Sequence, residues 1–578
     1  SSDEDEGKAT LIAPPGGTDE AAWPDQETIA ERICLEHLND RPEIKDRMRK
    51  ALLIGKSAFQ RHVDHHTKTK LVTAKAILKS TFKPSVQKSR PVPEHLKEEV
   101  TTCVNRMIAC GLIEETTVTP TFLSTLTFAP KKDGSVRICL DLRMLNNATE
   151  RTPCDQISIE EVQEFYSRNP YTSNCDIANA YHSIPLDEES KNHFGFSVMG
   201  KKYVYRVAAM GFVNSSYYLN DALRQALGDL ERVLFYADDV AIGGRTPEEH
   251  ADLVAQVLQR LAAAGFLVKP SKCTFLTESV EFLGVVYKRA KDGKLTMHIP
   301  DYKLKEFDNL PIPRTIRQAK RNLLKMAFYR KFIPRWASVT HTLHLHTLGP
   351  KGRCKWTEEL QSSFDRLRKL VRQSSTLHCP NSEEPFYCYV MADSISANMD
   401  IMQMDQHGTL QRVSHTSKML KPTETAAHQP QRTNIALVNG LKSNDYFLAH
   451  GDVFIFTDIN SVAFLAATNN ATPHLRRRAD SLRLYDCSIL HVQSVRNPLD
   501  REAAAAIGKG KHQQLCNPHA DINLTPAELA EWLTLANVHR PAKARPEPSS
   551  AAAEKEKEER RKHSRATAAE TLKRTSSS

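Results

Sequence analysis

The spacing of hydrophobic and polar positions changes several times along this chain, and each change marks an element. Over Glu98 to Cys110 apolar residues recur at helical spacing, and Gly111 supplies the stop. Leu123 to Phe128 and Val136 to Leu140 read as strands joined by Lys131-Lys132-Asp133-Gly134, whose Asp-Gly pair favours a tight turn. The best-punctuated helix covers 246–264. Thr246 is its N-cap, Pro247 takes the first helical position, and Glu249 is expected to complete a capping box. Leu253, Val254, Val257, Leu258 and Leu261 form its apolar face before Gly265 ends it. A further helix is predicted after Thr357, where Glu358 and Glu359 suit the positive end of the dipole. Strands are predicted at Phe386 to Met391 and at Val453 to Thr457.

The flanks read differently. Residues 1 to about 25 are acidic, then rich in Pro and Gly, and are expected to be disordered. From 27 to 80 the pattern is helical and increasingly basic, with His62, His65 and His66 expected as exposed helix or loop residues. Beyond 505 the chain turns to Ala, Lys, Glu and Arg; an amphipathic helix is expected near Pro526 to Ala536, and a disordered mixed-charge tail after 541.

A chain of 578 residues exceeds one hydrophobic core, so three or four domains are expected. The net charge of +10 leans toward a polyanionic partner. Twelve cysteines occur without a CxxC pair or zinc spacing, which argues against a zinc knuckle or a disulfide framework. Reduced thiols in an intracellular protein are the expectation. No apolar run approaches the roughly 20 residues of a membrane span, and no membrane partner is expected. No signal peptide is seen in the acidic opening, and a start on Ser1 suggests a processed product or a fragment.

The chemistry concentrates in carboxylates. Asp238 and Asp239 interrupt the apolar, strand-forming run Val233 to Gly244, and a hairpin would place them at its tip. Carboxylates so close repel, and burial worsens the cost. A divalent cation would relieve it; an Asp-rich β-turn is the plainer alternative. Cys175 to Leu186 reads as a strand end delivering Asp176, followed by a short turn. Nucleotidyl transfer needs such a set: two Mg²⁺ ions about 4 Å apart clamp the attacking and leaving oxygens, and carboxylate oxygens suit Mg²⁺, with Mn²⁺ as a substitute.

From about 120 to 290 the chain resembles, motif for motif, the reverse transcriptase of Gypsy-type LTR retrotransposons, with retroviral polymerases as more distant relatives. Thr127 to Asn146 resembles the fingers motif, Asp176 to Leu186 the first catalytic motif, and Tyr236-Ala237-Asp238-Asp239 the YxDD box. Pro270 to Phe275 and Glu281-Phe282-Leu283-Gly284 complete the series. The resemblance implies an α+β fold: a right-hand polymerase with fingers, palm and thumb, then a connection and a ribonuclease H-like α/β domain. Fingers and palm would occupy 86–290, thumb and connection 291–384, and the ribonuclease H-like domain 385–505. Residues 1–85 would be an N-terminal extension and 506–578 a basic tail.

The implied activity is DNA synthesis on a primed RNA or DNA template from dNTPs. Asp176, Asp238 and Asp239 would hold the metals. Arg137 with Lys131 or Lys132 would grip the triphosphate, and Lys272 would lie near the proton donor to pyrophosphate. Tyr181 would be the aromatic gate against a ribose 2′-hydroxyl. Arg314 to Trp336, basic with interleaved aromatics, would line a duplex groove through phosphate contacts. Departures are also present. Ala208-Ala209-Met210-Gly211 stands for the usual Met-Pro-Phe-Gly, Asn214-Ser215-Ser216 for Asn-Ala-Pro, and Ala237 for a branched residue.

In the ribonuclease H-like region Asp393, Asp458 and Asp500 match three of the four positions Asp-Glu-Asp-Asp, while Thr433 stands at the glutamate. Asn398 and Asp400 replace the glycines expected after Asp393. Threonine cannot supply the lost charge, so a retained fold with little or no nuclease activity is expected. No Asp-Thr-Gly or Asp-Ser-Gly protease motif occurs, nor an integrase-type zinc arrangement. A piece of a larger polyprotein, a decayed copy and a domesticated gene all fit. The rival reading is a non-catalytic nucleic-acid-binding scaffold, favoured by the altered 208–216 region and the missing glutamate.

Overall fold

Short strands alternate with helices along the chain, and the strands sort into five sheets among the described residues. The computed structural model describes residues 23, 25–62, 64–130, 136–290, 292–349, 352, 355–405, 410–449, 451–457, 485 and 487–491. All of them belong to one compact unit, Ser1–Pro526; a second, Ala527–Ser578, lies outside the described residues, as do the helix and tail expected there. No described helix is long and apolar enough to cross a membrane.

At the centre is a three-stranded antiparallel sheet: Tyr171–Asp176, then Asp239–Gly244, then Val233–Tyr236. The helix Pro247–Ala263 packs on it with Val254, Val257, Leu258 and Leu261 fully buried, as the apolar spacing requires, while Leu253 is half-buried. Thr246 accepts a hydrogen bond from the Glu249 N–H at 3.2 Å. The Glu249 carboxylate takes the Arg245 N–H instead of that of Thr246, and also pairs with Arg232 at 2.8 Å. The expected capping box therefore closes one residue early, because the arginine draws the carboxylate sideways.

The strand expected over Leu123 to Phe128 is broken in two. Phe122–Ser124 joins a five-stranded sheet, and Leu126–Pro130 pairs with Val136–Leu140 in a separate hairpin. Residues 122 to 126 are all buried, so no alternation marks one face. At the break, Thr125 N–H goes to Gln87 Oε1 and its carbonyl accepts from Asp141 N–H, outside either ladder. The helix expected at Glu98 to Cys110 is Lys97–Ala109, and Gly111 takes φ +65°.

The helical reading of 27–80 holds only for its first half. Gln26–Arg32 and Pro42–Ile54 are helices; the chain then runs extended, with isolated bridges at Phe59↔Val268, Ala74↔Leu186 and Leu78↔Thr149. Ile29, Leu52 and Phe59 share one core with Leu258, Phe266 and Val268. This segment is thus built into the core that backs the central sheet instead of extending from it. Gly55 shows how close the approach is: a Cβ there would lie 2.4 Å from Leu258 Cβ. His62, His65 and His66, expected exposed, are all half-buried, and the His66 ring lies 6.4 Å from that of His182.

Burial holds two histidines neutral. His250, whose Nε2 lies 2.7 Å from Ser173 Oγ, is pushed down to about 4 by burial. His182 is pushed down to about 4 by burial and by the neighbouring His66. Between pH 6.5 and about 4 the unfolded chain takes up protons that the folded chain refuses, so this stability is present above 6.5 and lost as pH falls. At pH 5 each histidine costs about 2 kcal/mol on that basis. His250→Asn is expected to flatten the fall of the denaturation midpoint between pH 7 and pH 5; an unchanged slope counts against this account.

Beyond the central sheet, Ser279–Phe282, Val285–Arg289, Leu295–His298 and Thr376–His378 form a four-stranded antiparallel sheet. Helices Ile316–Ala327, Trp336–Thr347 and Glu358–Gln373 complete a second core with it. Thr357 caps the last of these through the Leu360 N–H, as expected. The basic stretch divides. Arg317, Lys320 and Arg321 are exposed beside exposed Leu324 and Phe328, whereas Lys331 pairs with Glu160 and Arg335 is buried.

The last sheet orders Leu410–Met419, Ser396–Met404, Phe386–Ala392, Val453–Thr457 and Cys487–His491, three strands antiparallel and the final two parallel. Helix Gln429–Ser443 covers one face, where Leu437 and Leu441 pack with Val390, Met399 and Ile455. Tyr446, just beyond that helix, donates to Glu164 on the palm helix Ile159–Arg168.

Candidate active site

The Asp176 strand and the Asp238–Asp239 hairpin meet in register: Asp176 is the direct cross-strand partner of Asp239, and Asp239 of Tyr236. Ile177 N–H donates to Asp238 O at 2.7 Å, so Asp176 and Asp239 form a non-hydrogen-bonded pair, the kind that brings side chains closest. Like charges directly opposite each other are destabilising. Ala237 and Asp238 make the two-residue turn, and Ala237 takes φ +51°. A left-handed alanine costs on the order of 1 kcal/mol, a strain that the strands on both sides hold in place.

Gly243 and Gly244 end the same strand for steric reasons. A Cβ on Gly244 would lie 2.5 Å from His250 Cβ and 2.9 Å from His250 Cα, in the first turn of a helix that cannot yield. Gly244→Ala is expected to destabilise the protein by about 3 kcal/mol. The readout is the thermal midpoint, and an unshifted midpoint would show that the strand can move aside.

The electrostatics follow from crowding under partial burial. Burial, then Asp238 and Asp176, push the Asp239 carboxyl up to about 6. Asp176 is also raised, by burial first, although Lys272 Nζ sits 2.8 Å from its Oδ2 and pulls the other way. Burial would lower Lys272, but its bond to Asp176 and the charges of Asp238 and Asp239 outweigh that and raise it. Three all-oxygen donors, two of them disfavoured as anions, suit a hard divalent cation that would relieve the repulsion. The residues fit such an ion by chemistry. They are not gathered into a finished cage, since no group of three or more metal-ligating side chains is assembled among the described residues.

Tyr181 lies in the short 3₁₀ turn Ala180–Ser183 that follows Asp176, with its hydroxyl 3.3 Å from Ser216 Oγ. Lys131 and Lys132 lie outside the described residues, as does the side chain of Arg137, whose backbone pairs with Ala129. In the altered loop Ala208 and Ala209 are buried, Met210 is exposed and Gly211 takes φ +91°. Asn146 ties this loop down by donating to Gly211 O and accepting from Val213 N–H. Two contacts escaped sequence reasoning. Tyr329 donates to Gly284 O at 2.8 Å, joining the thumb to the turn after Phe282, and Tyr302 donates to Glu281 at 2.7 Å. Both tyrosines stand in ordinary apolar–basic pattern, so spacing alone offered no signal.

At the ribonuclease H-like site Asp393 is saturated. It accepts from Ile395 N–H, Ser396 N–H, Ser396 Oγ, Ser338 Oγ and Arg335 Nη2, at distances of 2.6–3.1 Å. Burial would raise its carboxyl, but these donors hold it below the ordinary range. Thr433 is fully buried in the helix Gln429–Ser443. Asn398 donates to Ser396 and accepts from Ser417, and Asp400 pairs with His415 at 2.7 Å. The two residues expected in place of glycines therefore fill a buried polar network. Asp458 and Asp500 lie outside the described residues.

Residues 129–287 match the family model described as reverse transcriptase (RNA-dependent DNA polymerase), and 356–455 that of the RNase H-like domain found in reverse transcriptase. The chain is 26% identical over 525 residues to the retrovirus-related Pol polyprotein from transposon 297 of Drosophila melanogaster, covering 87% of this chain and 47% of that one. It is 25% identical over 409 residues to that from transposon gypsy of the same organism, covering 67% and 38%. The chain thus spans less than half the length of these relatives. Among solved structures, the foamy viral protease-reverse transcriptase dRH in complex with ds DNA aligns with TM-score 0.70 at 18% identity, covering 83% of this chain and 84% of that one. The same viral enzyme in complex with RNA/DNA hybrid aligns with TM-score 0.68 at 18% identity, covering 82% and 63%. Fold and motif order agree: the chain carries a reverse transcriptase domain and an RNase H-like domain, and over most of its length it is similar to retrotransposon Pol polyproteins such as those of transposons 297 and gypsy.

Proposed function

We propose that this chain is an RNA-directed DNA polymerase that extends a primer 3′-hydroxyl with dNTPs on an RNA or DNA template. The observation that carries the reading is the cross-strand pairing of Asp176 with Asp239, with Asp238 at the adjoining turn. Asp176, Asp238 and Asp239 would hold two Mg²⁺ ions, with Mn²⁺ able to substitute. Bound there, the ions would neutralise triphosphate charge and activate the attacking hydroxyl.

The chain's own residues supply the rest. Lys272 holds a proton beside Asp176 and could pass it to departing pyrophosphate once the ion pair opens. Tyr181 would exclude a ribose 2′-hydroxyl, and Lys131, Lys132 and Arg137 would receive the triphosphate. Exposed Arg317, Lys320 and Arg321 suit phosphate contacts along a primer–template duplex without reading its sequence.

The second reading, a duplex-binding scaffold, draws on the ion pair that Lys272 makes with Asp176 and on the altered 208–216 loop. Primer extension on a heteropolymeric RNA template, with and without Mg²⁺, separates the two. Metal-dependent extension supports the polymerase. Tight duplex binding without extension in either Mg²⁺ or Mn²⁺ supports the scaffold.

A further inference from the structure

Tyr181 hangs from a loop whose backbone is pinned. Ile177 N–H donates to Asp238 O, Ala178 N–H to Leu267 O, and Ile184 N–H to Tyr181 O. The ring itself is half-buried against the core and can turn only about its own side-chain bonds. Its tip meets Ser216, hydroxyl to hydroxyl, at 3.3 Å. Ser216 in turn is rigidly held, in the first turn of helix Ser215–Leu227. Asn214 precedes that helix, accepts from Thr152 N–H and donates to Glu150 O, while Cys154 Sγ donates to Ser216 O. The resembling motif carries proline where Ser216 stands, and proline has no hydroxyl to offer.

We propose that Ser216 is a positioning residue for sugar selection: its hydroxyl fixes the tip of the Tyr181 ring and so sharpens rejection of ribonucleotides. The inference rests on the polymerase reading. A gate works only if its edge stays within van der Waals reach of the 2′ position, and a ring able to swing admits a ribose. Packing alone restrains a ring in depth; a hydrogen bond restrains its tip in direction. At 3.3 Å the bond is longer than the usual 2.7–2.8 Å between hydroxyls, so a modest effect is expected.

The test is single-nucleotide incorporation by the full chain, read as the ratio of kcat/KM for a dNTP to that for the matching rNTP. Ser216→Ala is expected to lower this ratio about fivefold through better use of the rNTP. Tyr181→Phe should lower it equally and the double variant no further, because both remove one bond. Ser216→Thr, which keeps the hydroxyl, should retain the parent ratio. A purely structural loss would depress both nucleotides together and leave the ratio unmoved. An unchanged ratio in Ser216→Ala, alongside a collapse in Tyr181→Ala, overturns the proposal and leaves the polymerase intact. Absence of any extension by the parent chain removes the polymerase reading and this inference with it.

Discussion

Asp176→Asn is expected to reduce primer extension about a thousandfold or more while leaving duplex affinity unchanged. The amide keeps the shape of the side chain but removes the charge that a divalent cation requires, and Asp176 faces Asp239 across the sheet with no neighbouring carboxylate able to replace it from its own strand. Asp239→Asn should be equally inactive, with an opposite effect on stability. Asp239 is pushed up to about 6 when folded, so above that pH the folded state carries an uncompensated penalty. The penalty disappears as pH falls toward the ordinary carboxyl range, because the folded chain then takes up the proton first. At pH 7 without divalent ions, Asp239→Asn should therefore be more stable than the parent by about 1–2 kcal/mol, and the gap should close by pH 4. Thermal denaturation across that range is the measurement. Retained primer extension in Asp176→Asn would sink the catalytic assignment.

Neither the parent chain nor Thr433→Glu is expected to cleave the RNA of an RNA–DNA hybrid, with rates at least about a thousandfold below a competent two-metal nuclease. A missing glutamate alone would make Thr433→Glu a sensible repair. The structure adds a second obstacle: Asp393, which should face a metal, is bound to Arg335 and Ser338 from the thumb helix region and to two backbone N–H groups. Freeing it means leaving a buried arginine unpaired, which costs about 3–5 kcal/mol. A new glutamate at 433 would also have to enter a fully buried position on the helix face packed against the sheet. Cleavage of a labelled hybrid by Thr433→Glu would show that Arg335 yields easily and that the lost carboxylate was the sole defect. Instead of a metal, this region holds docking contacts: Arg335 and Ser338 tie Asp393 to the start of helix Trp336–Thr347, and Tyr446 ties the domain to Glu164 on helix Ile159–Arg168.

Some of this was legible from local pattern. The hairpin bearing Asp238 and Asp239, the strand ending at Asp176 and the helix Pro247–Ala263 all appear where apolar spacing and capping residues put them. Each is specified by short-range physics: a strand needs alternating or apolar positions, a helix needs a cap and a stripe. The break at Thr125 was not legible, because residues 122 to 126 are buried alike and only long-range bonds to Gln87 and Asp141 divide them. Nor was the place of residues 26–80, whose extended half has no regular period and is held by isolated bridges to residues far along the chain.

By itself, then, the amino-acid order determined which carboxylates exist, that they stand at strand ends, and that threonine occupies position 433, where the resembling motif carries glutamate. Tertiary structure alone decided that Asp176 and Asp239 are register partners, that Lys272 rests on one of them, and that Arg335 closes over Asp393. The reason is that backbone preference acts over a few residues, whereas a charge is placed by whatever distant segment the hydrophobic core brings beside it. Positions 272 and 176 lie 96 residues apart, and 335 and 393 lie 58 apart, distances over which no local pattern carries information.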